Sequence, residues 1–510
     1  MKSCFIGIIC FLGCCSLARA ADILDQEIQL PKTKETTYEL LSRITDLSGF
    51  FFIYDSDIIN SEKKIKFPGG KHTLRQSIYL ITQDQAIQIK LINRHILLYK
   101  KELPPVTGAK TMPEITDSLN VVVAKAIVRD AQTQDPIPYV SASIAETGIG
   151  TITNQTGEFM LKIPLSDSAQ SIQISHVGYN QQTIPVELFL NSPVDIYMQT
   201  KTVPLQEVII GLVNPQKIIR EMINNKPVNY QNAPVYFTSF YREGIEKKNT
   251  IVSLTEAVFQ IYKTGFESSA NDQVKLLKMR KISNKGENDS IIVKMRAGID
   301  ASLHLDIIKY IPDFLDLNDE NPFNYSKIDM TVTDSSLAHV IAFEQKPGIT
   351  EPLYKGELYI DAGNSALLAT HFEVNPQYID KATGLFVLKK PKGVDIKPEN
   401  AGYYVFYKYW NGRYYLNHIR GDLTLKVNNK KAFFQPAKSI HVFFEMVVCK
   451  IDTTDVKKFP RKESISTHNV FSETKFQYDN RFWDDFNVIL PEKELNEALS
   501  RISSSIEEME

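Results

Sequence analysis

The stretch Tyr403-Tyr404-Val405-Phe406-Tyr407-Lys408-Tyr409-Trp410-Asn411-Gly412-Arg413-Tyr414-Tyr415-Leu416 sets the fold class of the C-terminal part of this chain. Two aromatic runs flank an Asn-Gly pair, whose ease with left-handed backbone makes the type I′ turn of a β-hairpin. The pair joins a strand over 403–410 to one over 413–427. Alternation puts Tyr403, Val405, Tyr407 and Tyr409 on one face and Tyr404, Phe406, Lys408 and Trp410 on the other. Further strands are predicted at 235–246, 250–262, 274–280, 291–296, 327–333, 337–345, 354–361, 366–374 and 438–449, interrupted by a helix-like stretch at 303–315. Ahead of them Ile218, Ile219, Met222 and Ile223 repeat at helical spacing over 215–225. Residues 214–510 therefore read as a large antiparallel β-sheet or half-barrel with flanking helices.

Composition places the whole among globular proteins. The chain has 510 residues, 43% apolar and 23% charged, which suggests about three domains. The 23 Tyr and 27 Phe point to β-rich units, giving a multidomain fold that is mainly β with an α+β part. A formal charge of −2 offers no basic excess for nucleic acid.

Cys4, Cys10, Cys14 and Cys15 sit in an apolar run that opens after Lys2 and closes at Ala18-Arg19-Ala20, the layout of a signal peptide over 1–20. The mature chain is expected to begin near Ala21 with Cys449 as its one thiol, so no internal disulfide holds it. The alternative is acylation at Cys14 or Cys15, which would tether the chain to a membrane. Beyond this run no apolar stretch reaches the length of a transmembrane helix. Export to the periplasm, or to the periplasmic face of the outer membrane, is the expectation.

Over 21–100 the period changes repeatedly. Thr36 with Glu39 and Thr73 with Gln76 form capping boxes ahead of helices at 37–48 (Leu40, Leu41, Ile44, Leu47) and 74–82 (Leu74, Ile78, Ile81), and Gly49 stops the first. Strands are predicted at 27–30, 50–54, 64–67, 87–91 and 96–99, the last two joined by Asn93-Arg94. This order, with Gly49-Phe50-Phe51-Phe52-Ile53-Tyr54-Asp55 and Thr73-Leu74-Arg75-Gln76-Ser77-Ile78, resembles the secretin and TonB N-terminal (STN) domain. The resemblance implies a periplasmic interaction module, with an anti-sigma regulator or a TonB-linked component as partner.

Residues 101–119, with Pro104, Pro105, Gly108 and Pro113, read as a linker, and 201–213 as another. Between them, strands at 121–129, 138–144, 150–153, 159–163, 172–176 and 195–198 suggest a β-sandwich over 120–200. Ile127-Val128-Arg129-Asp130, Pro136-Ile137-Pro138-Tyr139-Val140, Thr153-Asn154-Gln155-Thr156-Gly157-Glu158-Phe159 and His176-Val177-Gly178-Tyr179 make it similar to the carboxypeptidase regulatory-like domain, a transthyretin-like sandwich without peptidase chemistry. Gly157 and Gly178 stand where the chain must turn, and His176 reads as a strand-end residue.

The two resemblances together imply an envelope protein of the Bacteroidetes type. A TonB-dependent receptor barrel is not expected, because the stretch from Asn214 to Glu510 is roughly half of what a plug and about twenty-two strands need. Phe240-Tyr241-Arg242-Glu243, Lys355-Gly356-Glu357-Leu358-Tyr359-Ile360-Asp361 and Phe482-Trp483-Asp484-Asp485-Phe486-Asn487 are similar to the C-terminal portion of carboxypeptidase-like regulatory proteins of that group. The middle phrase also looks like the strand pairs of LolA-like lipoprotein carriers.

Catalytic motifs are missing from the sequence: there is no His-Glu-x-x-His, Gly-x-Ser-x-Gly or phosphate loop. Cys449 lies in an apolar strand and reads as an inert buried thiol. Asp313, Asp316, Asn318, Asp319 and Glu320 form an acidic loop without the glycine of a calcium hand, read as solvated. No catalytic, cofactor-binding or metal residue is assigned. The aromatic run at 403–415 is the remaining ligand candidate, as a sugar- or lipid-facing platform, with cross-strand pairing as the plainer account. The expectation is a non-enzymatic envelope protein that binds a protein partner through its STN-like domain, with the sandwich as spacer. The alternative is a carrier of lipid or glycan in the C-terminal half-barrel.

Overall fold

The computed structural model describes residues 23–54, 59–92, 95–100, 121–167, 170–189, 193–200, 214–247, 250–283, 294–295, 298–332, 337–389, 392–429, 437–467 and 486–491. The signal peptide, both acylation candidates, the linkers and the Asn93-Arg94 turn lie outside the described residues. The chain divides into two compact units, Met1–Gly108 and Ala109–Glu510. No helix among the described residues is long and apolar enough to cross a membrane.

The first unit holds β1 (Glu27–Leu30), β2 (Thr33–Thr36), α1 (Thr37–Ser48), β3 (Phe51–Tyr54), β4 (Lys64–Phe67), β5 (Gly70–Thr73), α2 (Leu74–Thr82), β6 (Ile87–Ile92) and β7 (His95–Lys100). Both predicted helices occur where their capping boxes put them. Thr36 Oγ1 accepts from Glu39 N at 3.2 Å, and Gln76 repeats the device on Thr73 at 3.1 Å. Gly49 closes α1 with φ +74°. Leu40, Leu41, Ile44, Leu74, Ile78 and Ile81 are buried, but Leu47 is 55% exposed and takes no part in that core. β7 runs parallel to β3 and antiparallel to β6. The predicted strands β1 and β4 each gain a short polar partner that alternation did not reveal, β5 beside β1 and β2 beside β4.

The second unit opens with β8 (Val121–Asp130), β9 (Ser141–Ile144), β10 (Gly150–Ile152), β11 (Glu158–Pro164), β12 (Ser171–Ser175), β13 (Gln182–Pro185) and β14 (Val194–Met198). These make the expected sandwich, with β10-β9-β12-β13 as one layer and β11-β8-β14 in the other. Alternation along β11 buries Phe159, Leu161 and Ile163 between the layers. Gly157 and Gly178 both take positive φ.

There follow α3 (Pro215–Asn224), α4 (Lys226–Asn229), β15 (Val235–Lys247), β16 (Thr250–Lys263), β17 (Gln273–Ser283), β18 (Lys294–Met295), α5 (Gly298–His304), β19 (Phe323–Val332), β20 (Leu337–Gln345), β21 (Tyr354–Asp361), β22 (Leu367–Val374), α6 (Thr383–Phe386), β23 (Val387–Lys389), β24 (Val394–Trp410), β25 (Arg413–Asn429) and β26 (Lys438–Asp452). Ten of these strands form one antiparallel sheet, β17-β16-β15-β26-β25-β24-β22-β21-β20-β19, which does not close into a barrel. Asn411 (φ +47°) and Gly412 (φ +78°) turn the central hairpin as predicted. The helix expected over 303–315 is instead α5 followed by turns and a short 3-10 turn at Asp313–Leu315. The strand expected at 291–296 falls largely outside the described residues.

Each face of the sheet has its own cover. The inner face packs against Ile218, Ile219 and Met222 of α3, Ile299 and Leu303 of α5, and Ile307, Ile308, Phe314 and Leu315 of the segment that follows. Phe314 stacks on Phe343 with centroids 4.3 Å apart and lies against Phe372 at 5.1 Å. The sandwich packs on the outer face, where Gly148 allows backbone to meet backbone: Ile451 N donates to Gly148 O at 3.1 Å. A Cβ on Gly148 would fall 2.6 Å from Ile451 O, so no other residue fits there unshifted.

Candidate functional site

Strand register carries one rung of outer-face residues across all ten strands. From β17 to β19 it reads Arg280, Glu256, Arg242, Glu445, Arg420, Tyr404, His371, Glu357, Ala342 and Ser326. Its first five members alternate in sign. Arg242 Nε donates to Glu256 Oε1 at 2.8 Å and Arg280 Nε to Glu256 Oε2 at 2.5 Å. Arg420 lies 3.7 Å from Glu445, and His418 Nε2 lies 3.0 Å from the same carboxylate. Glu256, Arg242 and Glu445 are 1%, 3% and 2% exposed. Burial raises the Glu445 pKa, but the His418 and Arg420 contacts outweigh it and hold the carboxyl below its ordinary range. Charges so deeply buried persist only when paired.

The sandwich and a late segment of chain seal this part of the rung. Tyr139, with φ +62°, places its ring 4.9 Å from His418 and 6.0 Å from Tyr404, under the Arg420 guanidinium at 5.9 Å. Lys408 and Trp410 donate to the carbonyls of Gly148 and Glu146, both at 3.4 Å. Residues 486–491 pass between sandwich and sheet as a strap. Asn487 receives Lys162 N on Oδ1 at 2.6 Å and donates Nδ2 to Lys162 O at 3.2 Å, so its amide side chain stands in for a strand partner of β11. Thr151 Oγ1 donates to Val488 O and Arg242 Nη2 to Ile489 O. Val488, Ile489, Ile152, Phe240, Val258, Val447 and Cys449 close an apolar cluster around these bonds. The sandwich is thus fixed to the sheet rather than spaced from it.

Beyond Tyr404 the rung opens. Residues of β19, β20, β21 and β22 line a groove of about 410 Å³ whose outer-face side chains include Asn324, Ser326, Glu344, Lys355, Glu357, His371 and Glu373. The His371 ring lies flat on Tyr404, 4.2 Å away and 6° from parallel. Burial lowers its pKa, leaving a neutral imidazole at pH 7. Glu357 accepts from Tyr359 OH at 2.7 Å, and Lys355 lies 3.3 Å from Glu373. Carboxylates, an amide, a hydroxyl and a ring face together suit a polar ligand held by hydrogen bonds and stacking.

Among the described residues, the inner face is packed with apolar side chains. A cavity of about 40 Å³ lies beside a buried ion cluster, enough for about one water. There Lys263 Nζ meets Asp272 and Asp306, each at 2.8 Å, and Lys309 meets Asp272 at 2.8 Å. Tyr407 OH donates to Asp306 at 3.0 Å. Burial pulls the Lys263 pKa down, yet Asp306 and Asp272 outweigh it and hold it above the ordinary lysine range. This cluster ties the 305–310 turns to the sheet.

The residues singled out in the sequence are dispersed. Burial pushes the Cys449 thiol up to about 12, and the residue is 3% exposed, so it is not a nucleophile in this setting. In the acidic loop Asn318 Nδ2 donates to Asp316 and Asn318 Oδ1 accepts Glu320 N. No group of three metal-ligating side chains occurs among the described residues. His176 follows its strand, with Nδ1 2.8 Å from Val177 O. The aromatic run is divided: Tyr403 and Tyr407 join the inner core, Tyr404 and Phe406 lie by the sandwich, and Tyr409 is exposed. Sequence reading missed the rung itself. Its one local signal was charge inside apolar strands, as in Arg242, Glu256, Arg420 and Glu445.

Residues 127–210 match the family described as CarboxypepD_reg-like domain. No curated protein sequence matches the chain. Among solved structures, a DUF1329 family protein from Desulfovibrio piger is 10% identical over 48% of this chain and 96% of its own, with a TM-score of 0.20. A LolA superfamily protein from Nitrosomonas europaea is 10% identical over 49% and 96%, with a TM-score of 0.18. MucB, solved in complex with MucA(peri), is 9% identical over 47% and 98%, with a TM-score of 0.14. Scores at this level carry no argument about function.

Proposed function

We propose that this chain is a non-enzymatic, exported cell-envelope protein of the Bacteroidetes type that works by binding. Its first unit acts as an STN-like module that engages an envelope protein. The edge it lends is β6, which among the described residues ends its sheet with one side bonded to β7 and the other open to strand addition. Sandwich and sheet form a second binding body, and the observation that supports this is the shared rung, locked beneath the sandwich and open in the groove. Pull-down from the envelope fraction tests the first part: one protein should be recovered with the whole chain and lost on deleting residues 22–100. Equal recovery after that deletion would sink the partner assignment.

A second reading, a carrier, draws support from the same groove, with a glycan favoured over a lipid. The polar lining and the His371 ring suit hydroxyl-rich rings, whereas the inner apolar face is filled by Phe314 and its neighbours. Native mass spectrometry of the protein from its own envelope should then show a discrete glycan adduct that disappears in Glu357→Gln. A bare mass from both proteins would count against the carrier.

A further inference from the structure

The loop that leaves β26 reads Lys457-Lys458-Phe459-Pro460-Arg461-Lys462-Glu463, four cations within six residues of a chain whose formal charge is −2. Its backbone is pinned to the β15–β17 corner of the sheet. Tyr236 OH donates to Lys457 O, and the Phe459 ring stacks on Tyr236 at 5.4 Å and 7°. Phe459 N donates to Gln273 Oε1 at 2.9 Å, and Ile465 N to Val274 O at 2.8 Å. The adjoining acid, Glu463, is taken by Lys275 at 2.7 Å. Upstream, Asp452 accepts Thr454 N and Asp455 is exposed. Lys457, Lys458, Arg461 and Lys462 are exposed, and among the described residues none of them has an ion-pair partner. All four stand exposed on one loop, so they present an open charged surface.

We propose that this loop is a docking surface for an anionic lipid bilayer, contacting phosphate headgroups through Lys457, Lys458, Arg461 and Lys462. Choosing a bilayer over another polyanion rests on the export read from the sequence. Phe459, the one large apolar side chain of the loop, is held against Tyr236, so the attraction is electrostatic. Such binding weakens as the Debye length falls from about 10 Å at 0.1 M salt to about 3 Å at 1 M. Each cation near a negative surface is worth about fivefold in affinity, since about 1 kcal/mol attends each one.

The test is co-sedimentation of the processed chain with vesicles of phosphatidylglycerol and phosphatidylcholine in equal parts, against phosphatidylcholine alone. Binding is expected to the mixed vesicles only, and to be lost at about 0.5 M salt. The quadruple variant Lys457→Gln, Lys458→Gln, Arg461→Gln and Lys462→Gln should bind several hundredfold more weakly with its thermal unfolding unchanged, and the pair Lys457→Gln, Lys458→Gln roughly thirtyfold. If the quadruple variant does not fold, the pair decides. Equal binding to neutral vesicles, unweakened binding by the variants, or binding to heparin without binding to vesicles would each overturn the proposal.

Discussion

At the scale of single residues, His441 shows how the outer face combines charge with pH. Its Nδ1 lies 3.0 Å from Glu246 and its Nε2 3.0 Å from Asp422, and these two contacts raise its pKa to about 9. Asp422, also paired with Arg420, is lowered to about 2. A histidine whose folded pKa exceeds its unfolded value of about 6.5 adds stability that is complete below that value and lost as pH rises through about 9. Lys408 acts oppositely, because burial lowers its pKa to about 8 and folding then favours the neutral amine as pH rises. The comparison must therefore be between proteins. Over pH 6.5–9.5, the melting temperature of wild type should fall more steeply than that of His441→Gln, and parallel curves would refute the assignment. Residues also show why some features were legible and others not. The caps at Thr36 and Thr73 and the Asn411-Gly412 turn use partners within three residues, whereas His441 takes partners 19 and 195 residues away.

Among elements, the six-residue strap at 486–491 reaches partners 325 and 337 residues away along the chain. Asn487 bonds both the N–H and the C=O of Lys162 on the edge of β11, and an alanine there removes both of these bonds. A cost of about 1–3 kcal/mol is expected from such a loss. It should appear in Asn487→Ala as a lower unfolding midpoint, and as faster proteolysis between the sandwich and β15 with the unfolding slope unchanged. Unaltered proteolysis would mean that the strap does not hold the sandwich down. Strand patterns revealed most of the sheet because its strands are long and one-sided. They failed where side chains are polar, as in Thr33–Thr36 and Gly70–Thr73, and where Pro398 interrupts the first half of β24 at a bulge. The helix over 303–315 failed because Asp306 and Lys309 turn into the ion cluster with Lys263 and Asp272, a tertiary demand stronger than local spacing.

On the scale of the molecule, the sheet is completed by its last strand. β26 enters between β15 and β25, so within the ten-stranded sheet two sets of strands, β15 to β17 and β19 to β25 without β23, are joined by residues 438–452. No periodicity in the sequence states that pairing, which joins segments some two hundred residues apart; the hydrophobic alternation of β26 says only that it is a strand. The same strand contributes Glu445, the carboxylate between Arg242 and Arg420, and without it two guanidinium groups would face each other's half-sheet across an unfilled gap. Breaking one side of a buried pair costs about 3–5 kcal/mol, and here it coincides with the loss of two full ladders of backbone bonds. A chain ending at residue 436 is therefore expected to show no cooperative unfolding of the sheet, and the whole chain to refold in the slow millisecond-to-second range of non-local β topologies. Urea unfolding followed by tyrosine fluorescence checks the first, and stopped-flow refolding the second. A cooperative transition with an undiminished urea slope in the shortened chain would mean that the two half-sheets are stable on their own, and that β26 joins finished parts rather than making the fold.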